Sequence, residues 1–570
     1  MILQPQAKID EYTRKGWWGT TTLDDLFRRN VAQTPDAIAL VDPLNRTEIT
    51  DGAPQRLTYS QLDAAVNRLA TRLLEQGIGR DDIIAVQLPN IVELVMVYLA
   101  AARIGVIVSP FPVQYREYEI EQLTNFVRAK AFLTAARIGK QNQVEMLVAL
   151  KNKLPSVKRM MAWGESVSGG VVALNPLMQT QHDEKILANH LKNISVTAND
   201  IFTICWTSGT EAQPKGVPRS ANEWIVSAYA TVDASELTQG DHLLNPFPLV
   251  NMAGIGGMLV PWLLTGGKLV QHHPFNMPVF LQQIAVEKIH YTVAPPALLN
   301  MLLKNEQLLA QADISSIKTI GSGAAPLSPW MVKTWQDRYK IYVTNYFGSN
   351  EGTALVSGPK EIPDPEKRAQ FFPRFGVVGF DWSARVSKCL QTKLLDLQTG
   401  TEITEPGKPG ELLIKGASVL PGYYKADELN RRAFTADGFF HTGDVFEIAG
   451  DGEDEKYYRY IDRSKDIIIR GGTNISPAEI EMLLLGHPKI ADVAVVGYPD
   501  EILGERAGAY VVTKPGEQIT LEEIILFLNE KKVASYKLPE RLVVVDALPR
   551  NPVGKVLKRD LRERMKMQAP

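Results

Sequence analysis

A run of glycines, hydroxyl residues and one lysine has the composition of a loop that holds phosphate. The segment 207–216 reads TSGTEAQPKG and follows the apolar run IFTICW. Glycines and hydroxyls let backbone N–H and side-chain O–H groups approach phosphate oxygens, and Lys215 can neutralise their charge. The common NTPase loop is excluded, because it ends in Gly-Lys-Ser/Thr whereas Lys215 lies between Pro214 and Gly216. An ordinary polar turn is the alternative interpretation.

Alternating strand-like and helical segments must position this loop. Residues 57–80 follow a helical apolar pattern, and residues 83–88 form a short strand-like run. Further strand-like runs are IFTICW, HLLNPFPLV, GKLVQ, IHYTVAP, IKTIGSG and IYVTNYFG. The alternation predicts a large α/β fold with mainly parallel sheets, in which ligands collect at the carboxyl ends of the strands.

Length and composition limit the class of protein. A chain of 570 residues exceeds a single core, so at least two domains are expected. The 62 Lys and Arg residues balance 64 Asp and Glu residues, which argues against nucleic acid or an anionic membrane as a partner. Cys205 and Cys389 lack metal-ligand spacing, so neither a disulfide framework nor a zinc site is predicted, and a cytoplasmic location fits. The most apolar segment, 91–108, contains Glu93 and Arg103, so it predicts a buried helix and strand and no membrane span.

Six segments, taken in order, resemble the motifs of the adenylate-forming superfamily, which includes acyl-CoA synthetases, aryl-acid adenylating enzymes and luciferases. The first is the phosphate loop at 207–216. The others are the adenine-side turn GSGAAPL at 321–327, FGSNE at 347–351, the ribose motif TGD at 442–444, the hinge motif DRSKD at 462–466 and the catalytic-lysine motif PRNPVGK at 549–555. By this resemblance, which covers roughly residues 10 to 565, the chain is identified as a member of the superfamily.

The resemblance implies an α/β enzyme with a large N-terminal domain of two helix-covered sheets and a mobile C-terminal α/β lid. The expected parts are an N-terminal domain (1–462, with a small β subdomain at about 376–462), a hinge (463–466) and a lid (467–570). In this superfamily the lid is thought to rotate about the hinge, here at Lys465. One site can then serve two half-reactions in turn.

The implied reaction activates a carboxylic acid with ATP and passes the acyl group to a thiol. Two anions must be brought together and their charge neutralised. The implied catalytic residues are Lys555, Thr210 and Glu351, and the Glu351 carboxylate would hold Mg²⁺. The implied ATP- and AMP-binding residues are Thr207, Ser208, Gly209, Thr210, Lys215, Gly323, Ala324, Ala325, Asn345, Tyr346, Phe347, Gly348, Asp444 and Arg463.

Most of these residues have a structural alternative. In this alternative, Lys555 is a solvated lysine near the chain's end, Glu351 is a charge at a helix terminus, and Asp444 is a turn residue. Core packing is the alternative for Tyr346 and Phe347. The wider agreement of the motifs favours the functional interpretation.

The substrate is indicated by departures from the family pattern. Glu211-Ala212 replaces the usual Thr-Gly of the phosphate loop, and Asn350 replaces the usual Thr before the glutamate. Asn251 stands where many acyl-CoA synthetases have His. An Asn at this place resembles the aryl-acid adenylating enzymes of siderophore pathways. The implied acid-pocket residues are Asn251, Met252, Gly254, Gly256 and Ser322. This floor is expected to be apolar and roomy with few partners for ring hydroxyls, which favours a hydrophobic fatty, alicyclic or aryl acid.

Three functions remain open on the sequence. The first is an acid–CoA ligase that uses ATP, Mg²⁺ and coenzyme A, with Gly471 and Gly472 admitting the pantetheine chain unless they form only a tight turn. The second is an aryl-acid adenylating enzyme that loads the phosphopantetheine of a separate carrier protein. The third is a nucleotide-binding protein without catalysis. A homodimer is compatible with the sequence but leaves no readable pattern in it.

Overall fold

The structure is a computed structural model that divides into two compact units. The described residues are 1–181, 183–207, 214–450, 452–463, 466–470, 473–500, 503–531, 533, 535–550 and 556–567. The first unit comprises Met1–Gln391 and Ile414–Phe440, and the second comprises Thr392–Leu413 and His441–Pro570. Part of the expected β subdomain thus groups with the C-terminal unit. The domain boundaries and the hinge at 463–466 stay predictions.

The first unit contains eighteen strands and eighteen α-helices in its described residues. The strands are β1 (Ile38–Val41), β2 (Arg56–Thr58), β3 (Ile83–Gln87), β4 (Ile107–Pro110), β5 (Ala131–Ala135), β6 (Arg137–Ile138), β7 (Gln141–Asn142), β8 (Arg159–Trp163), β9 (Val172–Ala173), β10 (Ile201–Thr207), β11 (Lys215–Ser220), β12 (His242–Asn245), β13 (Lys268–Gln271), β14 (Tyr291–Val293), β15 (Thr319–Gly323), β16 (Tyr342–Gly348), β17 (Ala354–Ser357) and β18 (Phe371–Pro373).

The helices of this unit lie mostly between successive strands. They are α1 (Gln6–Arg14), α2 (Leu23–Gln33), α3 (Arg46–Ile49), α4 (Tyr59–Glu75), α5 (Val92–Ile104), α6 (Glu117–Val127), α7 (Gln143–Leu150), α8 (Leu174–Gln179), α9 (Glu184–Asn193), α10 (Ala221–Ala234), α11 (Met252–Gly254), α12 (Val260–Thr265), α13 (Met277–Glu287), α14 (Pro296–Lys304), α15 (Glu306–Ala310), α16 (Pro329–Tyr339), α17 (Pro365–Gln370) and α18 (Asp427–Ala433). A π-helix, Ile255–Leu259, joins α11 to α12, and 3-10 turns lie at Lys151–Lys153 and Arg385–Cys389.

Two large sheets organise the first unit. One has the strand order β11-β10-β4-β3-β5-β8-β9, and the other has the order β17-β16-β15-β14-β12-β13-β1-β2. Their inner neighbours pair in parallel, whereas the pairs β10–β11, β16–β17 and β1–β2 are antiparallel. The predicted α/β class with mainly parallel sheets is confirmed.

Three apolar clusters place helices on both faces of each sheet. The central cluster combines residues of both sheets with α4, α5, α10 and α12, so these helices form a layer between the sheets. The second cluster packs α13, α14 and α16 on the far face of the eight-stranded sheet. The third packs α6 and α7 on the far face of the seven-stranded sheet. Each sheet is therefore covered on both sides, as parallel sheets require.

The most apolar segment forms the predicted buried helix and strand. Helix α5 is buried along its whole length, and β4 follows it. Glu93 accepts hydrogen bonds from the buried Arg46 guanidinium at 2.6 and 2.9 Å, and the Arg103 guanidinium donates to Asp24 at 2.9 Å. These partners compensate the buried charges. Within the described ranges, no helix combines the length and apolar character needed to cross a membrane.

The second unit is also an α/β structure. Its strands are β19 (Leu390–Leu395), β20 (Glu402–Ile403), β21 (Pro409–Gly416), β22 (Phe440–Ile448), β23 (Tyr457–Arg463), β24 (Ile468–Arg470), β25 (Thr473–Ile475), β26 (Ile490–Asp500), β27 (Gly504–Thr513) and β28 (Arg541–Val544). Its helices are α19 (Pro477–Leu484), α20 (Leu521–Glu530) and α21 (Lys558–Met567), with 3-10 turns at Gly452–Lys456 and Ser535–Lys537. One sheet contains the order β23-β22-β21-β19-β20, and the other contains β25-β24-β27-β26 with β28 paired to β27.

Helices cover both faces of the C-terminal sheet. Successive residues of β26 enter two different apolar clusters, one with α19 and α20 and the other with α21. This alternation is expected, because neighbouring side chains of a strand point to opposite faces. The C-terminal part therefore has the predicted α/β fold.

Two adjacent buried histidines make the stability of the first unit depend on pH. Burial lowers the pKa of His272 and that of His273 from an ordinary 6.5 to about 4. His272 donates through Nδ1 to Gln283 at 2.7 Å and accepts the Asn276 N–H at 3.0 Å, so its neutral form is satisfied. The contribution of these histidines to the free energy of unfolding is therefore fully present above pH 6.5 and is lost as the pH falls toward 4. In that range the unfolded state binds protons on the two imidazoles more readily than the folded state does.

Replacing His272 with glutamine is expected to flatten that pH dependence. The free energy of unfolding of the wild type falls between pH 7 and pH 5, and in the variant this fall should be smaller by about 2 kcal/mol. Urea denaturation followed by tryptophan fluorescence at both pH values measures the effect. The partly exposed His190, changed to glutamine, is the control. An unchanged pH dependence in the His272 variant would contradict the assignment.

Candidate active site

The predicted phosphate loop connects two antiparallel strands. In the pairing of β10 with β11, Thr207 lies opposite Lys215 and Trp206 opposite Gly216. The predicted residues Ser208, Gly209 and Thr210, and the departure Glu211-Ala212, lie outside the described residues. Within the described part of the chain, the Thr207 hydroxyl is buried and has no hydrogen-bond partner. Such a group carries an unpaid desolvation cost, so its chemistry fits a phosphate oxygen as a partner.

A tyrosine lies between the predicted metal ligand and the predicted phosphate lysine. The Tyr423 hydroxyl donates to the Glu351 carboxylate at 2.9 Å, and the Lys215 ammonium lies 5.3 Å from the centre of the Tyr423 ring. Asn430 bonds both the N–H and the C=O of Tyr423, which fixes the backbone beneath the ring. The structure thus brings Glu351 and Lys215 to one tyrosine side chain.

The adenine-side turn and the aromatic motif lie on neighbouring strands. In the pairing of β15 with β16, Ser322 lies opposite Asn345 and Gly323 opposite Tyr346. A Cβ at Gly323 would lie 2.3 Å from the Tyr346 carbonyl oxygen, so only glycine fits. Ala324 follows with φ of +66°, a conformation that costs an L-residue roughly 1–2 kcal/mol. This strained and exposed turn, which continues into Ala325, lies at the carboxyl end of a parallel strand.

The polar groups of the aromatic motif bond to the protein itself. Asn345 donates to the carbonyl of Ala369 at 2.9 Å. The Tyr346 hydroxyl lies 2.7 Å from Ser235 Oγ and 3.2 Å from the Tyr291 hydroxyl. The Asn345 Nδ2 group and the Tyr346 hydroxyl are therefore already bonded, and a nucleotide beside this strand would meet the Tyr346 ring and the backbone.

The ring of Phe347 packs edge-on against Phe372 at 6.1 Å. The next residue, Gly348, links the aromatic motif to the predicted acid segment, since a Cβ there would lie 3.9 Å from Met252 Cγ. Residues predicted to bind AMP and residues predicted to bind the acid are thus neighbours in the first unit.

The two glycines of the predicted acid pocket lie close to other parts of the protein. A Cβ at Gly254 would lie 2.3 Å from the carbonyl oxygen of Pro248. A Cβ at Gly256 would lie 2.6 Å from the Met252 sulfur and 3.2 Å from the Trp224 ring. An added Cβ at either glycine would thus meet other parts of the protein, and the assignment of both positions to the acid pocket stays a prediction.

The polar side chains of the predicted acid pocket are also bonded to backbone groups. Asn251 accepts the Gly254 N–H at 3.2 Å and so caps α11. The buried Ser322 hydroxyl donates to the Ala294 carbonyl at 2.8 Å. Both side chains hold the local backbone.

Asn350 connects three segments around this region. Its Oδ1 accepts the Met252 N–H at 2.7 Å, and its Nδ2 donates to the Trp206 carbonyl at 3.1 Å. The Arg219 guanidinium donates to the Asn350 carbonyl at 2.8 Å. The residue that departs from the family pattern is therefore bonded to the acid segment and to both strands that flank the phosphate loop.

The predicted ribose pair lies in the second unit. Asp444 on β22 and Arg463 on β23 face each other across an antiparallel pair, with Arg463 Nε 2.8 Å from Asp444 Oδ1. The Thr442 hydroxyl accepts the Asp444 N–H at 3.1 Å and holds the turn before the aspartate. The arrangement presents a carboxylate and a guanidinium side by side, which can accept from and donate to a sugar diol.

The remaining predicted residues lie outside the described residues: the hinge Lys465, the pantetheine contacts Gly471 and Gly472, and the catalytic Lys555. The chain on both sides of Lys555 is well held within the second unit. Arg550 pairs with Val556 in a β-bridge, and the Lys558 ammonium bonds the Glu481 carboxylate at 2.8 Å.

Comparison with known proteins gives the family. The chain matches the description AMP-binding enzyme over residues 27–424 and AMP-binding enzyme C-terminal domain over residues 479–555. The chain is an AMP-binding enzyme. Membership of the adenylate-forming superfamily, predicted from the motif order, is confirmed, and the protein is an acid–thiol ligase that forms AMP.

Individual relatives of this AMP-binding enzyme act on both alkyl and aryl acids. It is 32% identical over 563 residues to the medium-chain fatty-acid–CoA ligase of Escherichia coli K12, covering 97% of this chain and 92% of that one. It is 29% identical over 565 residues to the 2,3-dihydroxybenzoate-AMP ligase of Bacillus subtilis, covering 98% and 96%. The solved anthranilate CoA ligase AuaEII superposes with a TM-score of 0.79 at 21% identity, covering 96% and 98%, and supports the fold.

In an AMP-binding enzyme, the protein need supply only some of the ligands of a bound Mg²⁺ ion. Among the described residues there is no group of three or more His, Cys, Asp or Glu side chains that could hold a metal ion. Mg²⁺ is commonly held by one or two carboxylates together with substrate phosphates and water. The Glu351 carboxylate beside the phosphate-loop strands fits that donor set.

Sequence reasoning missed Tyr423 as a site residue of this AMP-binding enzyme. It lies in the segment PGYYK, within the β subdomain expected at about 376–462. Its bond to Glu351 spans 72 residues of sequence, and no local pattern encodes such a contact. The aromatic pair next to a glycine was the available signal.

Proposed function

We propose that this AMP-binding enzyme joins a hydrophobic carboxylic acid to coenzyme A. The acid would be fatty, alicyclic or an aryl acid without ring hydroxyls. One observation carries the preference for such an acid: Asn251 Oδ1 and the Ser322 hydroxyl proton, two polar groups of the predicted acid pocket, are already bonded to the protein's own backbone. A ring hydroxyl would find few partners there, and an unpaired buried hydroxyl is costly.

In the first half-reaction, a carboxylate oxygen attacks the α-phosphorus of ATP. The bond from that phosphorus to the bridging oxygen breaks, and pyrophosphate leaves. Mg²⁺ on Glu351 would neutralise phosphate charge. Thr207 would bond a phosphate oxygen, Asp444 and Arg463 would hold the ribose, and Lys555 would offset the negative charge that develops.

In the second half-reaction, the thiol sulfur attacks the carbonyl carbon of the acyl-adenylate. The bond from that carbon to the phosphate oxygen breaks, AMP leaves, and the thiol proton passes to solvent. Gly471 and Gly472 would admit the pantetheine chain. Rotation about Lys465 would separate the two steps, since one site cannot present the lysine and the thiol together.

The second candidate function is the adenylation of an aryl acid for a separate carrier protein. It is favoured by the similarity to a 2,3-dihydroxybenzoate-AMP ligase over nearly the whole chain. The third function left open by the sequence, a nucleotide-binding protein without catalysis, is set aside, because the chain is an acid–thiol ligase.

Pyrophosphate release distinguishes these functions. The enzyme is given ATP, Mg²⁺ and one acid at a time from fatty, alicyclic, benzoic and hydroxybenzoic series, with and without coenzyme A. We expect turnover and a CoA thioester with an acid that lacks ring hydroxyls. Adenylate formation that coenzyme A does not accelerate would favour carrier loading.

Replacing Asp444 with asparagine is expected to weaken ATP binding more than catalysis. The change keeps the shape but removes the charge from a hydrogen-bonded acceptor, so the KM for ATP should rise about tenfold with a smaller change in kcat. ATP titration at a saturating acid concentration measures this split. The exposed Asp427, changed to asparagine, is the matched control. A change confined to the KM for the acid would contradict the ribose role.

A further inference from the structure

Asn350 joins the two large sheets of the first unit at the predicted site. It follows the end of β16 in the eight-stranded sheet, and its side chain donates to the carbonyl of Trp206 on β10 in the seven-stranded sheet. The same side chain accepts the N–H of Met252, the first residue of α11. Trp206 lies next to Thr207, where the described part of the phosphate segment ends.

Both ends of the Asn350 amide are used, and only one orientation satisfies them. The Met252 N–H needs an acceptor, which is Oδ1, and the Trp206 carbonyl needs a donor, which is Nδ2. Turning the amide over would place donor against donor and acceptor against acceptor. The bridge therefore has a single geometry.

The backbone of residue 350 is also fixed. Its carbonyl accepts from the guanidinium of Arg219, which is fully buried and also donates to the Glu223 carbonyl at 2.9 Å and to Ser227 Oγ at 2.6 Å. Residue 350 cannot move away from one partner segment without disturbing the others. A displacement of the phosphate strand is thus passed to the start of α11 through two hydrogen bonds.

Asparagine is needed for this bridge. The threonine usual at this place in the superfamily has one hydroxyl on Cβ, so it is shorter and has a single oxygen. It cannot present an acceptor and an amide donor on two separate atoms. The departure from the family pattern therefore adds a connection between the acid segment and the phosphate segment.

We propose that Asn350 is a positioning residue that couples nucleotide binding to the ordering of the acid segment at Met252. The inference rests on the proposed function for the identity of that segment. Binding of the nucleotide at the phosphate strand orders the turn that receives the acid, and the acid in turn favours the nucleotide, because coupling between two sites is reciprocal.

Hydrogen exchange tests the coupling without requiring an acid. The wild type and the Asn350→Ala variant are compared with and without α,β-methylene-ATP and Mg²⁺, following peptides that cover 201–207 and 250–259. We expect the nucleotide to slow exchange in both peptides of the wild type, and only in 201–207 of the variant. The proposal would be overturned if the nucleotide slowed exchange in peptide 250–259 of the variant as much as in the wild type. It would also be overturned if the nucleotide did not slow exchange in that peptide of the wild type.

A second variant separates the bridge from general destabilisation. Asn350→Asp keeps an oxygen for the Met252 N–H but cannot donate to Trp206, so it should also lose the response of 250–259. Asn251→Ala removes a cap of the same turn without touching Trp206, and the response should persist in it. If Asn350→Ala does not fold, the comparison of these two variants decides the matter.

The acid then provides the thermodynamic measurement. For an acid that the enzyme turns over, the nucleotide analogue should lower the Kd for the acid by about fivefold or more in the wild type. In Asn350→Asp the analogue should change that Kd by less than about twofold. Turnover with undiminished coupling in this variant would overturn the inference alone. A wild type that shows the exchange response but turns over no acid would contradict the proposed function alone.

Discussion

Replacing Lys555 with alanine is expected to lower the rate of acyl-adenylate formation by about 10²–10³-fold. The lysine would stabilise negative charge that develops only as the carboxylate attacks the α-phosphorus, so the loss should appear in kcat. Transfer from a preformed acyl-adenylate to coenzyme A should be retained, because in the proposed mechanism that step does not use the lysine. Pyrophosphate release and thioester formation from synthetic acyl-adenylate measure the two halves separately.

The control for this change is Lys566, an exposed lysine near the end of α21 that pairs with Glu563 at 2.9 Å. Its replacement with alanine should leave both half-reactions within about twofold of the wild type, since exposed pairs contribute little. An equal loss of both half-reactions in the Lys555 variant would contradict the division of roles.

Replacing Glu351 with glutamine is expected to reduce adenylate formation by about 10²-fold and to raise the Mg²⁺ concentration that the enzyme requires. Glutamine keeps the length and can still accept the Tyr423 O–H, so the local structure should survive. It loses the charge that a hard cation prefers. Titration of Mg²⁺ during turnover gives the kinetic effect.

Binding of Mn²⁺ in the presence of α,β-methylene-ATP, followed by electron paramagnetic resonance, tests the metal role without turnover. The Glu351 variant should bind Mn²⁺ more weakly than the wild type. The exposed Glu366 on α17, changed to glutamine, is the control and should bind it equally. Slower turnover with unchanged Mn²⁺ binding would assign Glu351 a role other than metal binding.

The fold could be predicted from the sequence because its signals are local. Continuous apolar runs predicted the buried strands β3 and β10, since a strand covered on both faces needs apolar residues at nearly every position. The charges of α5 excluded a membrane span, and the structure supplies their partners Arg46 and Asp24. Those partners could not be predicted, because they come from helices that precede α5 by tens of residues.

The candidate site could be predicted only in part. Motifs identified which residues to examine, but not the direction in which their side chains point. The motif predicts Asn251 as an acid-pocket residue, and it does not indicate that Oδ1 of this side chain also caps α11. Asn350 was noted only as a polar replacement, although it bonds a carbonyl 144 residues away. Contacts of this range arise from tertiary packing and leave no short-range pattern.

The contacts that an added Cβ would make at Gly254 and Gly256 also indicate which glycines of the proposed acid segment could be substituted. A side chain at Gly254 would displace backbone, and one at Gly256 would displace the Met252 sulfur and crowd the Trp224 ring, so substitutions at both positions would disturb the local packing. Gly257 differs, because a Cβ at that position would meet only the Met252 carbonyl oxygen, at 3.8 Å. A graded series of alanine, serine and valine at position 257 is therefore the one that tests, with the least disturbance of the backbone, whether the acid of the proposed reaction binds at this segment.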